Sequence, residues 1–426
     1  MKKVKILFLG LAIFLGSSCS SYLDQYPHAA ISPDAVTEDD IPAMRNGMYN
    51  SVQNAPGVYS YMIFDILGGD MTQTSYNPID VINATLSPLS STITNQWYGY
   101  YEALYQVNNM IAVAERFPGV EESASALGEA HYFRAYIYMN LVTRWGDVPI
   151  IRVNTMEKVA RDPAEDVWRF IDEELDLAES ALGSSESYYY VSSDAVKALK
   201  ARVRLYEGRY EEAAAIAEGL ITSGQYSLDD FTTIFDISRP TNSETIFAFL
   251  NLNQAESSIN ISDLCHTYGY VNKGQGRYLM TDKAVALFSS DDNRASVSIL
   301  DVDGVQCMHK YPSGQAGRDP FIVSRIGEMY LISAEAQGYP DGMARLNELR
   351  AFRGLPGASV SNAGQFMDAI LDERRRELMG ENHIWYDFVR TGTAVERLGI
   401  QTYQQLFPIP GKELQLNDLL EPNPGY

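Results

Sequence analysis

Cationic side chains are scarce in this chain: 33 lysines and arginines stand against 55 aspartates and glutamates, a formal charge of −22 over 426 residues. Such a surface argues against nucleic acid as a ligand and against a basic membrane-binding face, while leaving neutral sugars and peptides open. Cysteine is nearly absent. Only Cys19, Cys265 and Cys307 occur, which excludes a disulfide scaffold; Cys265 and Cys307 either pair, as an exported chain allows, or remain two partly buried thiols. Five histidines, at 28, 131, 266, 309 and 383, show no metal-ligand spacing. The chain has no His-Glu-x-x-His, Cys-x-x-Cys, Gly-x-Ser-x-Gly or phosphate loop, and Gly274-Gln275-Gly276 lacks its third glycine because position 279 is Leu. No catalytic residue, cofactor or metal is therefore expected. With so many acidic residues some carboxylate pair is always at hand, so a glycosidase reading draws no support from composition.

Long apolar runs are missing too, except Ile6 to Leu15 behind Lys2, Lys3 and Lys5. That run is too short to span a bilayer and reads as the core of a signal peptide, residues 1–18. It stops at Gly16-Ser17-Ser18-Cys19. Small residues directly before a cysteine fit a lipoprotein cleavage box with lipidation at Cys19; ordinary cleavage beside a bystander cysteine is the alternative. Several acyl chains, at ~0.8 kcal/mol per buried methylene, would hold the protein on a membrane without a spanning helix.

What remains, residues 19–426, has the composition of one globular domain, with 46% hydrophobic and 21% charged residues across the whole chain. Tyrosine is plentiful, 28 residues against 16 phenylalanines and 4 tryptophans. Its flat apolar face and edge hydroxyl suit half-buried packing and sugar stacking alike. From Trp97 to Ile221 apolar residues recur at three and four, the spacing of helices. Ala198 to Glu218 predicts two helices joined at Gly208 with small alanines where they meet, and resembles a tetratricopeptide unit. Similar pairs are expected at 97–117 with 125–143, 162–182 with 193–206, and 326–337 with 343–352. Between Gly224 and Pro320, as in 57–96, short apolar runs mix with Gly, Asn, Asp and Ser, the mark of irregular layers on a helical frame. Residues 296–302 and 305–311 alternate about Asp303-Gly304, a hairpin signal. Asp301-Val302-Asp303-Gly304 does not open a calcium loop, since Val305 and Pro312 fall on later ligand positions.

Two loop regions combine aromatic faces with planar amides, carboxylates and a guanidinium, the groups that recognise sugar rings and hydroxyls. The first holds Asp70, Gln73, Tyr76, Asn77 and Asp80; the second holds His266, Tyr268, Tyr270, Asn272, Lys273, Arg277 and Tyr278. The ligand-binding set is expected to be Asp70, Tyr76, Asn77, Tyr268, Tyr270, Asn272, Arg277 and Tyr278. Capping of the helical layer is the competing role for the tyrosines. Trp97, Trp168 and Trp385 sit in helix-like or core-like settings, and Tyr188-Tyr189-Tyr190 reads as packing or partner contact.

The last third carries the most specific pattern. Leu371-Asp372-Glu373-Arg374-Arg375-Arg376-Glu377-Leu378-Met379-Gly380-Glu381-Asn382-His383-Ile384-Trp385-Tyr386-Asp387-Phe388-Val389-Arg390 is followed by Leu406-Phe407-Pro408-Ile409-Pro410 and by Asn423-Pro424-Gly425-Tyr426. Ile370, Leu371 and Leu378 make an apolar stripe, Asp372 and Arg376 are spaced to pair, and the charges read as a buried network locking a helix. These residues resemble the C-terminal signature of the SusD/RagB family of outer-membrane nutrient-binding lipoproteins. Trp97 to Asn108, Ala130 to Asn140 with Arg144 to Pro149, Ser324 to Ala336 and Leu346 to Arg350 resemble its other segments in order. The resemblance implies a mainly α, SusD-like fold. Tetratricopeptide-like helix pairs (about 97–222 and 324–392) would form the scaffold, with ligand-side loops (about 57–96 and 224–320) containing short strands and a β-hairpin. It further implies a cell-surface binder without enzymatic activity that hands an oligosaccharide or polysaccharide to a TonB-dependent, SusC-like transporter. A peptide is the alternative ligand, and a surface glycoside hydrolase the weaker alternative role.

Overall fold

Paired helices form the frame. The computed structural model describes residues 36–73, 79–185, 187–236, 241–251 and 260–426. Its longer helices are α1 (Ile41–Asn54), α2 (Ser91–Ala114), α3 (Glu121–Trp145), α4 (Ala164–Ala181), α5 (Ser193–Tyr206) and α6 (Tyr210–Thr222), then α7 (Asn260–Tyr268), α8 (Ile326–Gln337), α9 (Met343–Phe352), α10 (Ala363–Leu378), α11 (Ile384–Arg390) and α12 (Gly411–Leu416). The four expected pairs all form, as α2 with α3, α4 with α5, α5 with α6, and α8 with α9. Between α5 and α6 the chain turns at Gly208, whose φ of +74° favours a residue without Cβ. Ala195, Ala198, Ala201, Ala213 and Ala217 are fully buried along this pair, so the axes approach closely. α6 also packs against α8, which joins the two runs of helices into one scaffold.

Two small antiparallel sheets lie on this frame. One has the order β1 (Met71–Gln73), β3 (Tyr278–Met280), β5 (Val305–Met308), β4 (Ile299–Val302); the other pairs β2 (Thr245–Phe249) with β6 (Phe321–Arg325). The β4–β5 hairpin turns at Asp303 and Gly304, both left-handed at φ +54° and +85°, as a two-residue primed turn requires. Its strands are shorter than the alternation predicts. Residues 295–298 instead form a helical turn that follows the fully buried Arg294, and the side-chain ion pairs of Arg294 set that turn in place. Cys265 and Cys307 are buried and do not pair.

The C-terminal signature forms the ionic centre of the molecule. Along α10, Ile370, Leu371 and Leu378 are buried as the periodicity predicts. Glu377, fully buried, meets Arg294 at 2.8 Å, Arg325 at 2.6 Å and Arg353 at 2.8 Å. Glu381 meets Lys310 at 2.7 Å and Arg325 at 2.9 Å, and Glu244 meets Arg325 at 2.6 Å and Arg353 at 2.9 Å. Lys310, Arg325 and Arg353 all sit within 5.4 Å of the Phe231 ring, so the cations are partly solvated by an aromatic face. Arg376 pairs with Glu373 at 2.7 Å and not with Asp372, because Glu373 is the acid on the buried side where Arg294 and Arg350 also converge. A Cβ on Gly327 would lie 2.5 to 2.7 Å from Arg325 Nη1, Glu377 Oε1 and Glu244 Oε1, so only a glycine leaves room for the cluster.

The remaining signature residues tie the terminus to α3. Trp145 donates from Nε1 to the Pro408 carbonyl at 3.1 Å, and Asn423 Nδ2 donates to the carbonyls of Trp145 and Phe407 at 2.9 and 2.8 Å. Trp97 and Trp385 are buried, and Trp168 is half-buried.

Candidate functional site

Antiparallel pairing of β1 with β3 brings the two loop regions together. Its register sets Met71 opposite Met280, Thr72 opposite Leu279 and Gln73 opposite Tyr278. The end of the first region is thereby fixed beside the second. Tyr76 and Asn77 come three and four residues after β1 ends in the sequence and lie outside the described residues.

Three of the expected ligand residues are interior, which corrects the reading from sequence. Asp70 is fully buried, with Oδ1 bound by the Arg375 guanidinium (Nε at 3.0 Å) and its own carbonyl accepting from Thr281 N–H at 2.9 Å. Tyr268 is fully buried, stacked on Tyr311 at 5.9 Å between centroids and edge-on to Tyr278 at 6.4 Å. Tyr278 is 1% exposed and its hydroxyl meets that of Tyr59 at 2.8 Å. Strand alternation and helix packing turned these rings inward, so they act as the floor that supports the loop above.

Tyr270, Asn272 and Arg277 are exposed. The loop that carries them is tightly wound. Gly276 N–H donates to Gly269 O at 3.0 Å, Gly274 N–H to Val271 O at 2.9 Å, Gln275 N–H to His266 O at 2.7 Å and Arg277 N–H to Thr267 O at 2.8 Å. Asn272 and Lys273 take left-handed φ of +51° and +62°, and Asn272 Nδ2 donates to Pro312 O at 2.7 Å. The Tyr270 ring lies over Gly276, where a Cβ would come within 2.4 Å of Cδ2. A 40% exposed ring is thus held on a hydrogen-bonded loop whose sequence also carries the exposed residues Asn272, Lys273 and Arg277. An exposed ring fixed in this way is able to stack on a flat apolar face.

Tyr59 was missed by sequence reasoning. It sits in a turn after Gly57 with no local signal, and only the fold places its hydroxyl on Tyr278. Burial raises the pKa of both phenols, while the Arg277 guanidinium pulls them down and the Asp80 carboxylate pushes them up, so Arg277 and Asp80 flank the pair. Asp80, half-buried, accepts from Ser90 Oγ at 2.9 Å.

Under this floor Asp65 accepts from Gly380 N–H at 2.9 Å and Asn382 N–H at 3.0 Å, fixing the left-handed turn of the signature. Burial pushes its carboxyl up to about 8, against the pull of those two amides. A carboxyl raised in the folded state contributes stability that is full below about pH 4 and lost as pH rises through 8, with a slope of up to ~1.4 kcal/mol per pH unit. Asp65→Asn is expected to flatten that decline in urea unfolding series run between pH 4 and 8. An unchanged slope would show that Asp65 does not titrate there.

The architecture is that of the SusD superfamily. Residues 303–405 match the SusD family model, and residues 21–205 match a second model described as starch-binding associating with outer membrane. The chain belongs to the SusD/RagB family. SusD-like protein P38 of Formosa agariphila is 24% identical over 507 aligned positions, covering 100% of this chain and 99% of that protein. Surface glycan-binding protein A of Bacteroides fluxus superposes with a TM-score of 0.80 at 20% identity, over 92% of this chain and 100% of that one. A laminarin-binding SusD-like protein superposes at 0.75 with 24% identity, over 92% and 100% of the two chains. At such identities the superpositions establish the shared fold.

Proposed function

We propose that this chain is a surface lipoprotein, anchored through Cys19, that binds an oligosaccharide or polysaccharide and delivers it to a TonB-dependent, SusC-like outer-membrane transporter. The observation that carries the binding role is the exposed Tyr270 ring on its wound loop, which also carries Asn272, Lys273 and Arg277. Tyr76 and Asn77, a few residues after β1 in the sequence, remain in the proposed set on their residue types alone. The role is capture and release, and no bond is broken in it. That two proteins of this fold bind glycans, one of them laminarin, supports a glycan as ligand.

Native affinity-gel retardation of the protein across a panel of polysaccharides, with product release followed in parallel, tests the reading. Retardation by one glycan without hydrolysis is the expected result. If no glycan slows migration, a peptide becomes the ligand to test, and sugar release would place the protein among hydrolases. Cys19→Ala is expected to move the protein from the membrane fraction to the soluble one; full retention on membranes would remove the anchor from the proposal.

A further inference from the structure

A second concavity opens between residues 185–192, the turn at Gln225 and Tyr226, and residues 242–246. It has a volume of about 220 Å³ and shares no lining residue with the loop that carries Tyr270. Its walls are bonded to one another. Ala248 N–H donates to Tyr188 O at 2.9 Å, Ser227 N–H to Ser243 O at 3.0 Å and Tyr226 Oη to Asp194 Oδ2 at 3.3 Å, so the three segments keep a fixed spacing. Tyr188 lines the cavity, and its ring is backed by that of Tyr189 at 4.5 Å between centroids. Both rings pack against Phe231, Ile234 and Ile322, which gives part of the tyrosine run its packing role.

The lining selects the occupant. Among the described residues every side chain around the cavity except Ile246 carries a hydroxyl or an amide, and none is ionised. Asp194, bonded to Tyr226, is paired with Lys197 at 2.9 Å. An ionised ligand would therefore find no counter-charge, and an aliphatic one little apolar wall. A peptide added as a further strand is disfavoured as well, since β2 is paired with β6 and its Ala248 N–H is taken by Tyr188 O.

The polar groups left over suit a polyhydroxylated ligand. Thr245 is only 3% exposed, and its Oγ1 has no hydrogen-bond partner among the described residues, so folding alone leaves a buried hydroxyl unsatisfied. Asn242 Oδ1 accepts from the N–H groups of Glu244 at 3.0 Å and Thr245 at 2.8 Å, which fixes the amide and leaves Nδ2 to donate. Ser192 Oγ accepts from Ala195 N–H at 3.2 Å at the start of α5 and keeps its own proton for a ligand. Gln225, exposed at the rim, adds a second amide. Neutral donors and acceptors in one cavity with the Tyr188 and Tyr226 rings are the groups that hold a sugar, hydroxyls against amides and one ring face against a phenol.

We infer that this cavity binds one neutral sugar ring, a second carbohydrate site in which Thr245 Oγ1, Asn242 Nδ2 and Ser192 Oγ bond the ligand's hydroxyls. The lining itself selects this ligand, so the inference does not depend on the glycan reading of the Tyr270 loop.

Calorimetric titration of the whole mature protein with the methyl glycosides of glucose, galactose, mannose and xylose tests it. At least one is expected to bind, with the same affinity in wild type and in Tyr270→Ala/Arg277→Ala, so that the cavity and the loop are read separately. Thr245→Val keeps the branched shape and removes the hydroxyl; it should weaken that binding about three- to ten-fold, the worth of one hydrogen bond, while the melting temperature holds or rises. A hydroxyl with a structural role alone would leave the sugar affinity unmoved. Gln225→Ala, at an exposed position, should weaken binding further without touching stability. Binding of none of the four sugars, undiminished binding by Thr245→Val/Gln225→Ala, or loss of binding in Tyr270→Ala/Arg277→Ala would each overturn the inference.

Discussion

Replacing Glu377 with alanine is expected to lower the unfolding free energy by ~3–5 kcal/mol, the cost of leaving buried charges without their partner. Glu377 is fully buried among Arg294, Arg325 and Arg353, and its carbonyl accepts from Lys310 Nζ at 2.8 Å and Arg325 Nη2 at 2.7 Å. Glu244, Glu373 and Glu381 remain in the variant, yet each already serves guanidinium or ammonium groups of its own. Glu377→Gln keeps the shape and removes only the charge, so it should fall between wild type and alanine. Denaturant unfolding at pH 7 decides the matter, and an alanine variant within 1 kcal/mol of wild type would remove Glu377 from the centre of the fold. The same acids set the response to acid. Burial raises their pKa, but the surrounding cations outweigh it and hold Glu373, Glu377, Glu381 and Asp387 below the usual carboxylate range. Carboxylates depressed in the folded state contribute stability above their unfolded values near 4, which is lost as pH falls through the folded ones. Stability should therefore drop steeply below about pH 4.

The second large effect is on binding. Tyr270→Ala/Arg277→Ala should weaken glycan retardation at least ten-fold, since stacking and guanidinium contacts at an exposed platform are each worth on the order of 1–2 kcal/mol. Both side chains face water, so the melting temperature should stay within a few degrees of wild type. Tyr268→Ala is the contrasting variant. Its ring is fully buried, and its removal should cost ~3–5 kcal/mol of stability. If the double variant binds normally, the glycan lies elsewhere; if Tyr268→Ala loses affinity without losing stability, the floor reaches the ligand after all.

Helix pairs were legible because their signal is local: spacing of three and four, alanines at the crossing and Gly208 at the turn. The ionic role of the signature was legible too, although its pairing was not. Which acid Arg376 meets depends on Arg294 and Arg350, which arrive from 82 and 26 positions earlier in the chain. The ligand face was half legible. Composition singled out two loops that the fold brings side by side, but Asp70, Tyr268 and Tyr278 are inward-facing for reasons that lie in partners distant in sequence: Arg375, Tyr311 and Tyr59.

The short pairing of β1 with β3 has an evolutionary corollary. Because the ladder Met71 to Gln73 against Tyr278 to Met280 fixes where the two loop regions leave the frame, changes in length beyond it need not disturb the helices. Doubling the length of a flexible loop costs only ~0.6 kcal/mol in closure entropy. The alignments with relatives run to 507 and 517 positions against the 426 residues of this chain, so insertions are common within this lineage. Loops of different length can therefore be carried on the same helical frame at small cost in folding free energy.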